Sequence, residues 1–155
     1  MLVSNFILMN FLNKFTFCNI VFSDHPPNHA LINEYKPGQG ILPHKDGPLY
    51  HPLIATISLA SYTVLDIISE SDDSREIIGS FVLEPRSLYI ACDDIYNTYL
   101  HGIKEDLGDN FSSLSVFNDV SMDTTKEHKR DLRFSITIRN VPKVLKNKLL
   151  MGLKS

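Results

Sequence analysis

The chain has 155 residues, 43% of them apolar, and a formal net charge of −3. These values suit one compact domain and exclude the uniformly basic surface of strongly basic nucleic-acid-binding proteins, so any such contact needs a local basic patch. Cys18 and Cys92 are the only cysteines, too few for a disulfide framework, which indicates a reducing compartment. We therefore predict one intracellular domain over residues 1–155, in the cytoplasm, the nucleus or both.

The first 22 residues, MLVSNFILMNFLNKFTFCNIVF, are strongly apolar. No positive charge precedes the apolar run and no small-residue cleavage site follows it, which argues against a secretory signal. The run is also too short to cross a bilayer, so no membrane contact is expected. We predict that residues 1–28 form a helix packed on a sheet and a connector, because Pro26 and Pro27 stop the helix. The candidates for burial on this helix are Phe6, Met9, Phe11, Leu12 and Phe15.

Short runs rich in β-branched and aromatic residues occupy much of the remaining chain, and most are bounded by Gly, Pro, Asp or Ser. The runs cover residues 30–35, 53–61, 63–68, 80–85, 87–92 and 133–141. Such a succession of short strands predicts a mainly β fold, either a barrel or a sandwich, covered by the N-terminal helix.

Two polar segments interrupt or follow these strands. Residues 104–131 are weakly patterned and long for an internal connection, so they are interpreted either as a functional loop or as a partly disordered one. Residues 143–155 carry four lysines among leucines. We interpret this tail as a helix docking on the domain, with a basic contact surface as the alternative.

The stretch ILPHKDGPLYHP, residues 41–52, contains a candidate metal site. If residues 41–46 form a strand edge, His44 and Asp46 point to the same side, because residues i and i+2 share a face. Together they supply two of the three ligands of the 2-His-1-carboxylate triad that holds non-haem Fe(II) with open positions. The pair alone is a weak signal, since an ordinary polar turn has the same composition.

The third ligand would come from elsewhere in the chain. His128 lies in a charged run typical of a solvated surface, and His25 and His29 flank the proline turn. His51 is near in sequence, whereas His101 follows a strand and has apolar neighbours. A satisfied histidine of the core would normally be the favoured interpretation of His101, so the residues alone leave the third ligand open.

The last predicted strand carries a candidate anchor for a carboxylate ligand. Arg133, Ser135, Thr137 and Arg139 share one face, which either faces solvent or cradles a dicarboxylate by bidentate guanidinium contacts. The two arginines stand about 20 Å apart along the strand, so one would hold the far end of a ligand while the other reaches its metal end. Asn33 and Tyr35 share a face of an earlier strand, and both can donate hydrogen bonds to a carboxylate.

The order NEY, HKD, a distant His and R-x₅-R resembles the AlkB-like Fe(II)/2-oxoglutarate dioxygenases, over most of residues 27–145. The resemblance implies a double-stranded β-helix, or jelly roll, and a reaction that uses Fe(II), 2-oxoglutarate and O₂. The implied iron ligands are His44, Asp46 and His101. The residues implied to hold the distal carboxylate of 2-oxoglutarate are Asn33, Tyr35 and Arg133, with Arg139 nearer the metal end and Ser135 lining the same face. His51 becomes a substrate-side or structural residue.

The resemblance also implies the class of substrate. The family oxidises N-alkyl groups on nucleic acids and, in some members, protein side chains, and a base inside a duplex must be extruded into the pocket. AlkB relatives usually carry more sequence ahead of NEY as a lid over the nucleotide, and only 32 residues precede Asn33. We therefore expect a shortened lid, with the loop 104–131, Tyr50 and His51 as alternative substrate contacts. A non-catalytic AlkB-like binding module and a cupin-like metal enzyme with another co-substrate are the alternatives.

Overall fold

The computed structural model describes residues 22–142. Within that range the chain forms ten β-strands, one short α-helix and a 3₁₀ turn. The strands are β1 His29–Tyr35, β2 Ile41–His44, β3 Leu53–Ala60, β4 Thr63–Glu70, β5 Arg75–Leu83, β6 Leu88–Cys92, β7 Leu100–Ile103, β8 Gly108–Asn110, β9 Glu127–Lys129 and β10 Arg133–Arg139. The helix α1 is Asp93–Asn97, and the 3₁₀ turn is Phe111–Ser113.

Eight of the strands form two four-stranded sheets, in the orders β1-β10-β3-β6 and β2-β7-β4-β5, and β8 pairs with β9. All neighbouring strands in these sheets are antiparallel. The chain passes from one four-stranded sheet to the other repeatedly along its length, an arrangement consistent with a jelly roll. The mainly β fold predicted from the strand-like runs is therefore confirmed.

The main core lies where the two sheets face each other. Its buried side chains come from β4, β5 and β7 of one sheet and β6 of the other, so their burial holds the sheets together. They are Leu65, Ile67, Phe81, Leu83, Tyr89, Ala91 and Ile103. A separate apolar cluster forms where Phe22 packs on Ala55 and Leu88.

Each of the six predicted strand runs corresponds to a strand in the structure. The largest boundary error is at β5, which begins at Arg75 although the run predicted there starts at residue 80. Residues 75–78 are exposed but still pair with the end of β4. Because this segment is not buried, its sequence carries no alternation of apolar and polar residues. The predicted N-terminal helix and the tail 143–155 lie outside the described residues. No helix within residues 22–142 has the length and apolar character needed to cross a bilayer.

Most of the polar segment 104–131 is held by specific contacts. The Arg130 guanidinium donates two hydrogen bonds to the Asp109 carboxylate, from Nε at 2.7 Å and from Nη2 at 2.6 Å, and a third to the carbonyl of Lys104. Phe111 is buried against Tyr62, and the Glu84 carboxylate accepts hydrogen bonds from Ser121 and Met122. These contacts hold the segment against the domain in one arrangement, which its polar composition does not indicate.

The Arg130–Asp109 ion pair gives a test of this ordering. Both side chains are largely buried, so Arg130→Ala leaves a carboxylate without its counter-charge and should lower the free energy of unfolding by about 3–5 kcal/mol. Arg75→Ala removes the partner of Glu70 in an exposed ion pair and should cost less than about 1 kcal/mol. Denaturant titration of both variants measures the difference; equal losses would contradict the buried pairing.

Candidate metal centre and co-substrate cavity

A cavity of about 290 Å³ opens between the two sheets. Its walls include side chains from β1, β3, β6 and β10 of one sheet and from β2, β4, β5 and β7 of the other. This volume is near the lower end of the range for small-molecule sites. The eight residues predicted as metal or co-substrate contacts all line it: Asn33, Tyr35, His44, Asp46, His101, Arg133, Ser135 and Arg139.

One wall of the cavity is set by the register of β10. Arg133 lies opposite Tyr35, and Ser135 lies opposite Asn33. Directly paired residues of antiparallel strands present their side chains on the same face. The register therefore brings the two polar motifs, which are far apart in sequence, onto one surface. At the other end of the strand, Arg139 lies opposite His29.

The second sheet supplies the candidate metal ligands. His44 of β2 pairs directly with His101 of β7, and their ring centroids are 4.5 Å apart. The strand β2 ends at His44, so Asp46 lies beyond the strand rather than within it as the sequence analysis assumed. One ligand atom from each of His44, Asp46 and His101 nevertheless lies within 4.8 Å of the others. Among the described residues this is the one such cluster of three His, Cys, Asp or Glu side chains.

Two local features of the backbone bring these ligands together. The register between β2 and β7 shifts between Ile41 and His44, and such a bulge re-aims the side chains that follow it. Gly102, next to His101, lets the two strands approach closely, because a Cβ there would lie 3.2 Å from the Ile41 carbonyl oxygen and from backbone atoms of Pro43.

The surroundings of the two histidines favour metal binding in different ways. His44 Nδ1 lies 2.8 Å from the Leu42 carbonyl oxygen, which can only accept, so Nδ1 is the donor of this contact and Nε2 is the nitrogen left for a metal ion. Burial lowers the pKa of His101; the neighbouring Asp46 opposes this effect and His44 adds to it. A neutral imidazole is the form that binds a metal ion.

The donor set fits Fe(II). Two imidazoles and one carboxylate are the ligands of the facial triad that leaves positions open for other molecules. The Asp46 carboxylate lies 3.7 Å from His101 Nε2 and 3.8 Å from Arg139 Nη1. The Asp46 carboxylate thus lies between the candidate ligand His101 and the Arg139 guanidinium. The positive charge of Arg139 suits a site that also binds an anion.

Arg133 lies toward the other end of the cavity and is a buried cation, 4% exposed. Its Nε donates to Ser58 Oγ at 2.8 Å, and its guanidinium carbon lies 5.3 Å from the centroid of the Tyr35 ring. Burial lowers the pKa of Arg133 to about 10, an effect that Tyr35 opposes and Arg130 reinforces, so it remains charged at neutral pH. No carboxylate within residues 22–142 forms an ion pair with it. A buried cation of this kind calls for an anionic partner, and a ligand carboxylate fits.

Arg139 occupies the metal end of the cavity. Its guanidinium carbon lies 4.0 Å from the centroid of the Tyr50 ring, and its Nε donates to His29 Nδ1 at 3.1 Å. The Coulombic contact with Asp46 ties it to the ligand cluster. His51 lies outside that cluster, and its ring packs on His25 with centroids 3.9 Å apart.

Two aromatic residues at the site escaped the sequence analysis. Tyr96 of α1 donates its hydroxyl toward the carbonyl oxygens of Gly47 and Tyr50, at 3.0 and 3.3 Å, and so fixes the turn that follows Asp46. Tyr89 of β6 lines the cavity. In the sequence, Tyr96 is marked only as an aromatic residue in the Asp-rich connector. Tyr89 belongs to a run whose pattern predicts only a buried strand.

Comparison with known proteins identifies the family. The family model described as the 2OG-Fe(II) oxygenase superfamily matches residues 7–139. A zebrafish (Danio rerio) protein named probable RNA/DNA demethylase ALKBH6 is 40% identical over 147 residues, which cover 86% of this chain and 61% of that protein. Protein L905 of Acanthamoeba polyphaga mimivirus is 33% identical over 77% of this chain and 51% of its own length.

A third relative is larger. The protein of Macaca fascicularis named tRNA (carboxymethyluridine(34)-5-O)-methyltransferase ALKBH8 is 33% identical over 76% of this chain and 18% of its own length. The chain thus spans about half to three fifths of the two relatives named before it. The resemblance predicted from the order of the motifs is confirmed. The chain belongs to the 2OG-Fe(II) oxygenase superfamily and is AlkB-like.

Proposed function

We propose that the protein is an Fe(II)- and 2-oxoglutarate-dependent dioxygenase that oxidatively removes N-alkyl groups. The observation that carries the proposal is the content of one cavity: a His-Asp-His cluster on one wall and the buried Arg133 guanidinium on another. A metal-binding site alone would fit many proteins. A metal-binding site together with a cationic pocket in the same cavity fits a co-substrate that is both a chelator and a carboxylate.

Each residue of the site has a role in this proposal. His44, Asp46 and His101 hold Fe(II), and Arg133 holds the distal carboxylate of 2-oxoglutarate by charge-assisted hydrogen bonds. Tyr35 stands beside the Arg133 guanidinium, and Asn33 and Ser135 line the wall next to this pair. The iron and co-substrate, when bound, supply the oxidising power for the reaction with O₂, in which 2-oxoglutarate becomes succinate and CO₂.

The protein's own contribution is to orient and enclose the reactants. Arg133 fixes one end of 2-oxoglutarate, so the other end is delivered to the metal in one orientation. Arg139, next to Asp46, adds positive charge where the metal-side carboxylate would lie. The apolar walls, which include Ile54, Leu65 and Ile103, limit the entry of water.

Nucleic acid is the favoured substrate class, with a protein side chain as the alternative. The name of the zebrafish relative, a probable RNA/DNA demethylase, supports the first. We propose Tyr50 and His51 as substrate-side residues. Tyr50 lines the cavity, and His51 adjoins it in sequence and packs on His25, so together they offer aromatic surface beside the ligand cluster. Such surface can stack on an unpaired base.

The metal assignment predicts an unequal effect of two histidine substitutions. His101→Ala removes one of three ligands and should weaken Mn(II) binding by about a hundredfold or more, beyond the loss typical of a second-sphere partner. His51→Ala should leave Mn(II) affinity unchanged, because His51 lies outside the cluster. Calorimetric titration with Mn(II) measures both. The reverse pattern would assign the third ligand to His51.

The co-substrate assignment predicts a loss confined to 2-oxoglutarate. Arg133→Met should weaken 2-oxoglutarate binding to the Mn(II)-loaded protein by about a hundredfold, the value of a buried charge-assisted pair, with Mn(II) affinity retained. Arg133→Lys keeps the positive charge but lacks the planar guanidinium. Its affinity for 2-oxoglutarate should therefore lie between those of the unsubstituted protein and Arg133→Met. Arg75→Met, at an exposed arginine, is the control. Unchanged affinity in Arg133→Met would favour a different co-substrate.

Turnover is tested by succinate formation from 2-oxoglutarate with Fe(II), ascorbate and O₂. We expect succinate above the level of a His44→Ala control, and a further increase with N-methylated oligonucleotides if nucleic acid is the substrate. An increase with methylated peptides alone would favour a protein substrate. Binding of metal and 2-oxoglutarate without any succinate would instead identify a non-catalytic binding module.

A further inference from the structure

Tyr89 is a buried tyrosine that has no role in the proposed metal site or in the proposed binding of 2-oxoglutarate by Arg133. It belongs to β6, is 7% exposed, and lines the cavity. Its ring packs in the main core, where it lies 5.6 Å, centroid to centroid, from the ring of Phe81. The body of the side chain is thus fixed by apolar packing, which leaves the hydroxyl as its one polar group.

The Tyr89 hydroxyl is buried and has no hydrogen-bond partner in the described part of the chain. A buried polar group without a partner costs stability and calls for an explanation. The core residues that pack with Tyr89 are apolar, among them Leu65, Leu83 and Ile103, and offer no acceptor through their side chains. Tyr89 lines the cavity, so a ligand bound there can bring the acceptor that the described part of the chain does not supply.

The strand register locates Tyr89 relative to the two arginines. Tyr89 lies opposite Thr56 of β3, which in turn lies opposite Thr137 of β10. Thr137 is two residues from Arg139 and four from Arg133. At about 3.3 Å per residue the row that contains Tyr89 is therefore closer to the metal end of the cavity than to Arg133.

The hydroxyl is a permanent donor. Burial raises the pKa of Tyr89 well above its usual range, and the nearby Asp46 and Cys92 side chains raise it further. The phenol therefore keeps its proton at any physiological pH. It can donate one hydrogen bond, and a negatively charged oxygen is the acceptor that gains most from it.

We propose that Tyr89 is a positioning residue that donates a hydrogen bond to an oxygen in the metal-side half of 2-oxoglutarate. The inference rests on the proposed function, because it takes 2-oxoglutarate as the ligand of the cavity. Arg133 would hold the distal carboxylate, and Tyr89 would fix the part of the molecule that approaches the metal. The unused donor is satisfied only when the co-substrate is bound.

The variant Tyr89→Phe removes the hydroxyl and keeps the ring. Calorimetric titration of the full chain loaded with Mn(II) should show 2-oxoglutarate affinity about tenfold weaker, the effect of one lost hydrogen bond to a charged acceptor. Mn(II) affinity should be unchanged. The Tm of the ligand-free protein should be equal or higher, because an unsatisfied buried donor has been removed. Tyr99→Phe, at a tyrosine that packs on the same core but does not line the cavity, should change none of these values.

The outcomes separate the two levels of the proposal. Equal 2-oxoglutarate affinity in Tyr89→Phe and the unsubstituted protein would overturn the role of Tyr89 alone. A large fall in the Tm of the ligand-free variant, with unchanged 2-oxoglutarate affinity, would make Tyr89 a structural residue and overturn that role as well. An unsubstituted protein that binds Mn(II) but no 2-oxoglutarate would overturn the proposed function and this inference with it.

Discussion

The site depends first on the unbroken antiparallel register of β10. This strand pairs along its whole length with β1 on one side and β3 on the other. Its alternate residues therefore form a continuous polar surface on one face of the sheet, from Arg133 to Arg139. Both guanidiniums are held by the backbone ladder and by their neighbours, Ser58 and Tyr35 at one end and Tyr50 and Asp46 at the other. A one-residue shift in the register of β10 would turn its alternate residues from Arg133 to Arg139 away from the cavity.

The strand pattern of the sequence was sufficient for the class of fold, because alternation of side chains in the ladder leaves a mark on the sequence wherever one face is buried. It failed where the strand ladder buries no apolar face, at the exposed start of β5. It also failed in the polar segment 104–131, which is held by the buried Arg130–Asp109 pair and by the Glu84 carboxylate. Contacts of this kind join residues distant in sequence and have no periodic signature.

The site was predictable to a similar depth. The motif order indicated residues for both ends of the cavity, and the fold places all of them on its walls. The assumption that a strand would carry Asp46 was wrong, since β2 ends at His44, but the bulge achieves the same grouping. Tyr89 and Tyr96 could not be predicted from the sequence, because their roles depend on residues distant in the chain. The Tyr89 side chain packs among apolar core residues, and the Tyr96 hydroxyl donates toward two backbone carbonyl groups.

The close approach of β7 to β2 gives Gly102 a consequence for how this site can vary. Even a methyl group there would press on the backbone of Ile41 and Pro43, and the strain would pass to His44 on one strand and to His101 on the other. The geometry of the metal cluster is therefore sensitive to a residue that contributes no atom to it. Alanine scanning normally measures what a side chain contributes by removing its atoms. At this position the same replacement adds one, so its effect would report crowding between the strands rather than the loss of a contact.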